Sequence, residues 1–339
     1  MDFNILPGQP GAYGIRNGQG PRHLLGGMVA SAYATGAETD GSFGLTMLTG
    51  GAEAGLPMLR HAEAHAGLYV LDGVVALTLN GQRYELVRGD YASIPAGTDW
   101  GLSMQRLRNV AMLFQTGGAA CGVFPTLGRP FDGHVQPDKA PGSWRDLASG
   151  PVPGCDTTIL GPLPKGLPLA QGRRDLPEGT EPFVIRAGEG DHVIVGEQLF
   201  TYTSRNRNTG GEFFTLLTEG PEGPMIPPHK HLRHDEMFFC VDGAVRMKAA
   251  DEILELAPGD FLFVPRGTPH AFQFLRPYTR LMGWLKPGIF EPFFEILGDA
   301  AEATVYPEQP LPFRFDRVLA RLGELDIVPL GAPPGAGKP

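Results

Sequence analysis

The chain has 339 residues, 42% hydrophobic and 19% charged, with 37 acidic against 28 basic side chains and a formal net charge of -9. That length admits two ordinary domains with sizeable cores, and the acidic balance tells against a nucleic-acid or anionic-membrane partner. No apolar run is long enough to span a bilayer, and the first thirty residues lack the order of a signal peptide, so the expected location is cytoplasmic.

The 48 glycines and 33 prolines point to the many tight turns of all-β domains. Cys121, Cys155 and Cys240 are too few and too scattered for a disulfide framework. Cys240 lies four residues beyond Glu236, which places it on the same strand face as a small interior hydrophobe.

Compared with itself at a shift of 170 residues, the chain is duplicated. Tyr13 to Gly20 (YGIRNGQG) falls on Phe183 to Gly190 (FVIRAGEG), GDYASIPAGT from Gly89 falls on GDFLFVPRGT from Gly259, and Phe124, Leu127 and Gly128 fall on Phe294, Leu297 and Gly298. The first copy spans 13–128. Its stretch LYVLDGVVALTLNGQRYELV carries apolar, β-branched and aromatic runs broken by Asp-Gly and Asn-Gly, which are hairpin signals. Residues 129–182 are Gly- and Pro-rich with little periodicity. They read as an ordered connector along the outside, with a short helix around Trp144 to Ala148, or equally as a mobile lid.

The second copy, 183–298, repeats the strand pattern as MFFCVDGAVRMKAADEILEL. Beyond it, 299–330 is a helical segment in which Phe315, Val318, Leu319 and Leu322 fall at helical spacing, following a helix-compatible run GIFEPFFEILGDAAEA. The terminal APPGAGKP has a disordered composition. The whole describes two β-barrels with a few peripheral helices.

Within the second copy, GPMIPPHKHLRHDEMFFCVDG from Gly223 to Gly243 places His229, His231 and Glu236 within eight residues, and GDFLFVPRGTPH adds His270. Residues two apart on a strand share a face, so His229 and His231 point inward together with Lys230 turned away. Pro265, Gly267 and Pro269 form the turn that aims His270 from another strand. Three imidazoles and a carboxylate suit a divalent transition metal, with Fe, Mn, Co, Ni and Cu all acceptable and one ion expected per chain. The bland alternative, scattered surface histidines, sits poorly with nine histidines of which three fall into one spaced motif with a Glu. His234 reads as a solvated loop or pocket-rim residue. Phe238, Phe272 and Phe274 follow the ligands at steps of two and four, which makes them candidates for an aromatic substrate pocket or for ordinary barrel core.

At the same shift, position 229 falls on Leu59, 231 on His61, 236 on Ala66 and 270 on Trp100, so the first copy keeps one of four ligands. RHAEAH still holds His61, Glu63 and His65, which as close neighbours read as a solvated loop rather than a regrouped site.

The pattern G-x5-H-x-H-x4-E-x6-G followed by G-x5-P-x-G-x2-H resembles the two motifs of the cupin superfamily, which implies double-stranded β-helix jelly rolls with the metal inside. Phe274 stands where that pattern usually has an Asn. Over nearly its whole length, with GEGDHVIVGEQLF, KPGIFEPFFEILGD and RFDRVLARLGELDI, the chain resembles bacterial bicupin quercetin 2,3-dioxygenases. The resemblance implies an oxidoreductase that opens the heterocycle of flavonols with dioxygen and releases carbon monoxide. The flavonol 3-hydroxyl would pass its proton to Glu236, the catalytic residue. Bacterial members commonly carry a metal in both cupins; here the expectation is a single C-terminal centre. The alternatives are a cupin isomerase, another small-molecule oxygenase, or a non-catalytic binding bicupin. The expected partners are a small aromatic substrate and dioxygen, with a homodimer as a candidate assembly.

Overall fold

The structure, a computed structural model, describes residues 2–137 and 143–331; the APPGAGKP tail lies outside the described residues. The β-branched and aromatic runs form antiparallel strands, and helices are short. No helix among the described residues is long and apolar enough to cross a membrane.

The chain divides into two compact units, each with two sheets. In the C-terminal unit, an eight-stranded sheet runs in the order Tyr13–Ile15, Phe261–Val264, Asp235–Asp242, Thr279–Lys286, Phe214–Gly220, Gln198–Ser204, Asp191–Val195, Asp299–Ala301. The second sheet runs Glu252–Leu256, Val245–Ala249, His270–Phe274, His229–Lys230, Val328–Pro329. A buried core drawn from both sheets includes Phe238, Cys240, Leu262 and Leu281 from the first and Val245, Met247 and Phe274 from the second. Cys240 is fully buried, and burial, reinforced by Asp260 and Asp242, pushes its thiol up to about 12, so it acts as the expected hydrophobe. Gly243 closes the hairpin between the Glu236 strand and the next at φ +78, and a Cβ there would meet the Tyr278 carbonyl at 2.4 Å, so only glycine fits.

The N-terminal unit repeats this plan with sheets of eight and six strands. Its hairpin at Asn80-Gly81 takes positive φ at both residues, the I′ geometry the dipeptide signals. Trp100, Leu59, Ala66 and Leu79 are all buried in its core.

The unit boundaries differ from those expected at 128, 182 and 298. The first strand of the first copy, Tyr13–Ile15, pairs with Phe261–Val264 and belongs to the C-terminal unit, whereas Phe183–Ile185 pairs with Tyr91–Ile94 and belongs to the N-terminal unit. Nor are residues 129–182 merely a connector. Thr158–Gly161 pairs with Gly55–Arg60 as Val328–Pro329 pairs with His229–Lys230, 170 residues later. The short helix expected near Trp144 is a 3₁₀ turn, Trp144–Asp146, opened by a Ser143 capping box. The long C-terminal helix is shorter than expected: an α-helix Phe315–Ala320, then a 3₁₀ turn Leu322–Glu324 containing Gly323, a poor helix former.

Candidate metal centre and substrate cavity

Three strands present the expected ligands. His229 sits on the two-residue strand His229–Lys230 with its backbone opposite His270, which opens the strand His270–Phe274. Glu236 is second in Asp235–Asp242, paired to Leu285 on one side and Val264 on the other. Gly267, at φ +85, donates its amide to the His231 carbonyl and tightens the turn that delivers His270. His231, Glu236 and His270 are 2%, 6% and 2% exposed; His229 is partly exposed and borders a cavity.

Each imidazole is oriented from behind. The Nδ1 atoms of His229 and His270 face the carbonyls of Pro227 at 2.8 Å and Thr268 at 3.0 Å, and that of His231 faces the carbonyl of Asp326. With Nδ1–H donated outward, the Nε2 lone pairs of His231 and His270 turn toward Glu236. His231 Nε2 lies 3.4 Å from Glu236 Oε1 and His270 Nε2 lies 2.9 Å from Oε2, yet neither Nε2 has a hydrogen-bond partner. Buried lone pairs converging on a carboxylate need a cation among them, and the N/O donor set fits a divalent transition metal. Burial, helped by the neighbouring histidines, pushes His229 down to about 3, and burial pushes His231 down to about 4, so both stay neutral and able to ligate at neutral pH. Burial opposes ionisation of Glu236, but His231 and His270 hold its carboxyl well below the usual range.

His234 departs from the expectation of a solvated loop residue. It is fully buried, its Nδ1 lies 2.7 Å from Asp326 Oδ2, its ring stacks on Phe290, and its partnerless Nε2 lies 3.5 Å from Glu236 Oε1. Close ligand atoms therefore occur in two overlapping groups, His229/His231/His270 and His231/His234/Glu236.

Asp326 was not singled out in the sequence. Its carboxylate accepts the amides of Leu232, Arg233 and His234, which folds the loop between the His231 and Glu236 strands. Asp156, 170 residues earlier, takes the amides of Ala62, Glu63 and Ala64 in the same way. Carrying the repeat comparison past residue 128 is the signal that finds both. Asp326→Ala is expected to leave three loop amides, that of His234 buried, and the His234 ring without their acceptor, costing about 1–3 kcal/mol of stability and about 10- to 100-fold in metal affinity. Thermal melting and metal titration check this; unchanged metal affinity would contradict it.

The same positions in the N-terminal unit are filled differently. His61 and His65 are buried, not solvated, but each is satisfied by protein: His61 Nε2 by Gln115 at 3.0 Å and Nδ1 by the Asp156 carbonyl at 2.9 Å, and His65 Nε2 by Ser93 at 2.7 Å. Trp100 packs on His61 with ring centroids 5.8 Å apart.

A cavity of about 280 Å³ opens from the histidines of the C-terminal unit. His229, Glu236 and His270 border it, as do Phe238 and Phe272. Phe274 does not line it; 1% exposed, it packs behind Phe272 in the core. Much of the aromatic wall comes instead from Phe290, Phe293 and Phe294 of the GIFEPFF run and from Phe313 and Phe315. Phe290 and Phe293 stack 4.5 Å apart at 14°. The first copy has Ala120 and Val123 at these two positions.

The cupin-domain family model matches residues 44–106 and 215–276, one match in each unit. A quercetin 2,3-dioxygenase of Bacillus subtilis is 36% identical over 326 residues, covering 95% of this chain and 96% of that protein. The chain belongs to the bicupin quercetin 2,3-dioxygenase family. As a member of that family it is an oxidoreductase, and its histidine–glutamate cluster is where a metal ion fits. A quercetin 2,3-dioxygenase of Aspergillus japonicus is 31% identical over 140 residues, 39% of this chain and 40% of that one. An oxalate decarboxylase structure from Bacillus subtilis superposes with a TM-score of 0.54 at 15% identity, covering 83% of this chain and 78% of that one; at that identity the likeness concerns the bicupin fold alone.

Proposed function

We propose that the protein is a flavonol dioxygenase that works at one metal centre, held by His229, His231, Glu236 and His270 in the C-terminal unit. Flavonol and dioxygen are converted to the depside and carbon monoxide, so both oxygen atoms are retained in the two products. The observation that carries this reading is the cavity walled by phenylalanines that ends on His229, Glu236 and His270; a flat polyphenol fits such a wall, with ring-on-ring contacts.

A metal held by His229, His231, Glu236 and His270 would supply Lewis acidity and a route for electrons. The chain's residues do the rest. Glu236, whose carboxylate lies beside His231 and His270, accepts the 3-hydroxyl proton. The carbonyls behind His229, His231 and His270 keep the Nε2 atoms aimed inward. Phe238 and Phe272 orient the rings and exclude water, which protects the deprotonated substrate from side reactions.

A single centre is supported by Leu59, Ala66 and Trp100, which offer no donor atom where three ligands would stand. Elemental analysis is therefore expected to give one metal per chain, unchanged by His61→Ala. Two tightly held ions, the second abolished by His61→Ala, would overturn the single-site reading.

A further inference from the structure

The cavity has polar side chains at a second place, far from the histidines: Glu197, Gln198 and Thr218 line it too. Register fixes their distance. Thr218 lies opposite Leu281 and Leu281 opposite Cys240, four residues along the strand from Glu236, which is about 13 Å at 3.3 Å per residue. The other sheet gives the same separation. The Gly223 amide donates to the carbonyl of Phe274, four residues along from His270, and a Cβ on Gly223 would lie 2.6 Å from Glu197 Oε1.

These three side chains are 8%, 7% and 3% exposed, and among the described residues none of them makes a side-chain hydrogen bond or ion pair. A carboxylate with no protein partner on the wall of an otherwise apolar cavity is left free to accept hydrogen bonds from whatever fills that cavity. Glu197, accepting only, calls for O–H or N–H donors, and two adjacent phenolic hydroxyls match its two oxygens. Gln198 and Thr218 can donate to or accept from the same groups.

We propose that Glu197, with Gln198 and Thr218, forms a subsite for phenolic hydroxyls at the end of the substrate opposite the reacting one. This rests on the flavonol reading and adds to it the residues that take the hydroxyls remote from the reacting one. A site built to hydrogen-bond a hydroxyl discriminates strongly against the analogue that lacks it, because its own polar groups are then left unpaired.

The test is anaerobic binding to the metal-loaded full chain, followed by absorbance titration with three probes. They are 3-hydroxyflavone with no other hydroxyl, a flavonol further hydroxylated only on the pendant ring, and one further hydroxylated only on the fused ring. One of the two hydroxylated probes is expected to bind wild type at least 10-fold tighter than 3-hydroxyflavone, and which one identifies the ring that reaches Glu197. Glu197→Gln should raise that probe's Kd about 10- to 100-fold and that of 3-hydroxyflavone by less than about 3-fold, with Thr218→Val giving a smaller loss in the same pattern. Equal loss for all three probes, or no loss for any, overturns the subsite. Equal binding of all three by wild type also overturns it while leaving the flavonol reading intact; binding of none removes that reading and the subsite with it.

Discussion

His231→Ala is expected to leave a folded protein that has lost metal affinity by more than about 100-fold, because removing even an outer partner of a ligating histidine costs about 10- to 100-fold. The fold does not depend on the ion as a zinc finger does. Two sheets meet over a core running from Phe238 to Leu281, and His231 contributes none of it. What His231 does contribute is centrality. It belongs to both close groups of ligand atoms, and it packs against His229, His234, His270 and Phe290. Loss of its imidazole therefore empties the middle of the donor set, and activity should fall with occupancy. Circular dichroism with elemental analysis reads both quantities, and a variant retaining full occupancy would show that the ligand set is wrong.

Glu236→Gln separates holding the metal from moving the proton. The amide keeps the size of the carboxylate and one oxygen, while four histidines remain around it, so measurable metal is expected to stay. The proton acceptor goes, and removal of a positioned base costs about 10²- to 10⁴-fold in rate. The expected outcome is thus metal-loaded protein that binds flavonol and turns it over at least 100-fold more slowly. The buried carboxylate also lies within 3.5 Å of the Nε2 atoms of His231, His234 and His270, so some loss of affinity for the ion should accompany the change. Equal turnover by metal-loaded Glu236→Gln and wild type would remove Glu236 from the mechanism.

The duplication made most of the fold legible, since strand positions recur at the same 170-residue shift as the sequence. Which unit each copy's first strand joins was not legible. Tyr13–Ile15 and Phe183–Ile185 are equivalent segments facing equivalent partners, Phe261–Val264 and Tyr91–Ile94, so either pairing satisfies the same hydrogen bonds and apolar pattern. At the site, strand periodicity placed the candidate ligands, but it could not bury His234. That depends on Asp326, 92 residues away, taking the loop amides and the ring Nδ1 together. Periodicity also put Phe272 and Phe274 on one face, and their rings do pack together, tilted at 38°. Phe274 is kept off the cavity wall because it packs in the core with Val245, which lies opposite it. The aromatic wall went unread for a different reason: a run such as GIFEPFF has the same composition whether its rings pack into a core or leave a space between them.

Flavonol dioxygenation at the C-terminal centre has a fixed stoichiometry that can be measured. Metal-loaded protein of known metal content, mixed with a polyhydroxylated flavonol in air-saturated buffer, is followed by flavonol absorbance, an oxygen electrode and headspace carbon monoxide at once. Equal molar consumption of flavonol and dioxygen, equal molar release of carbon monoxide, and loss of all three signals in His231→Ala are expected. Metal-loaded protein that consumes no dioxygen with any flavonol, or oxidises one without releasing carbon monoxide, would contradict it.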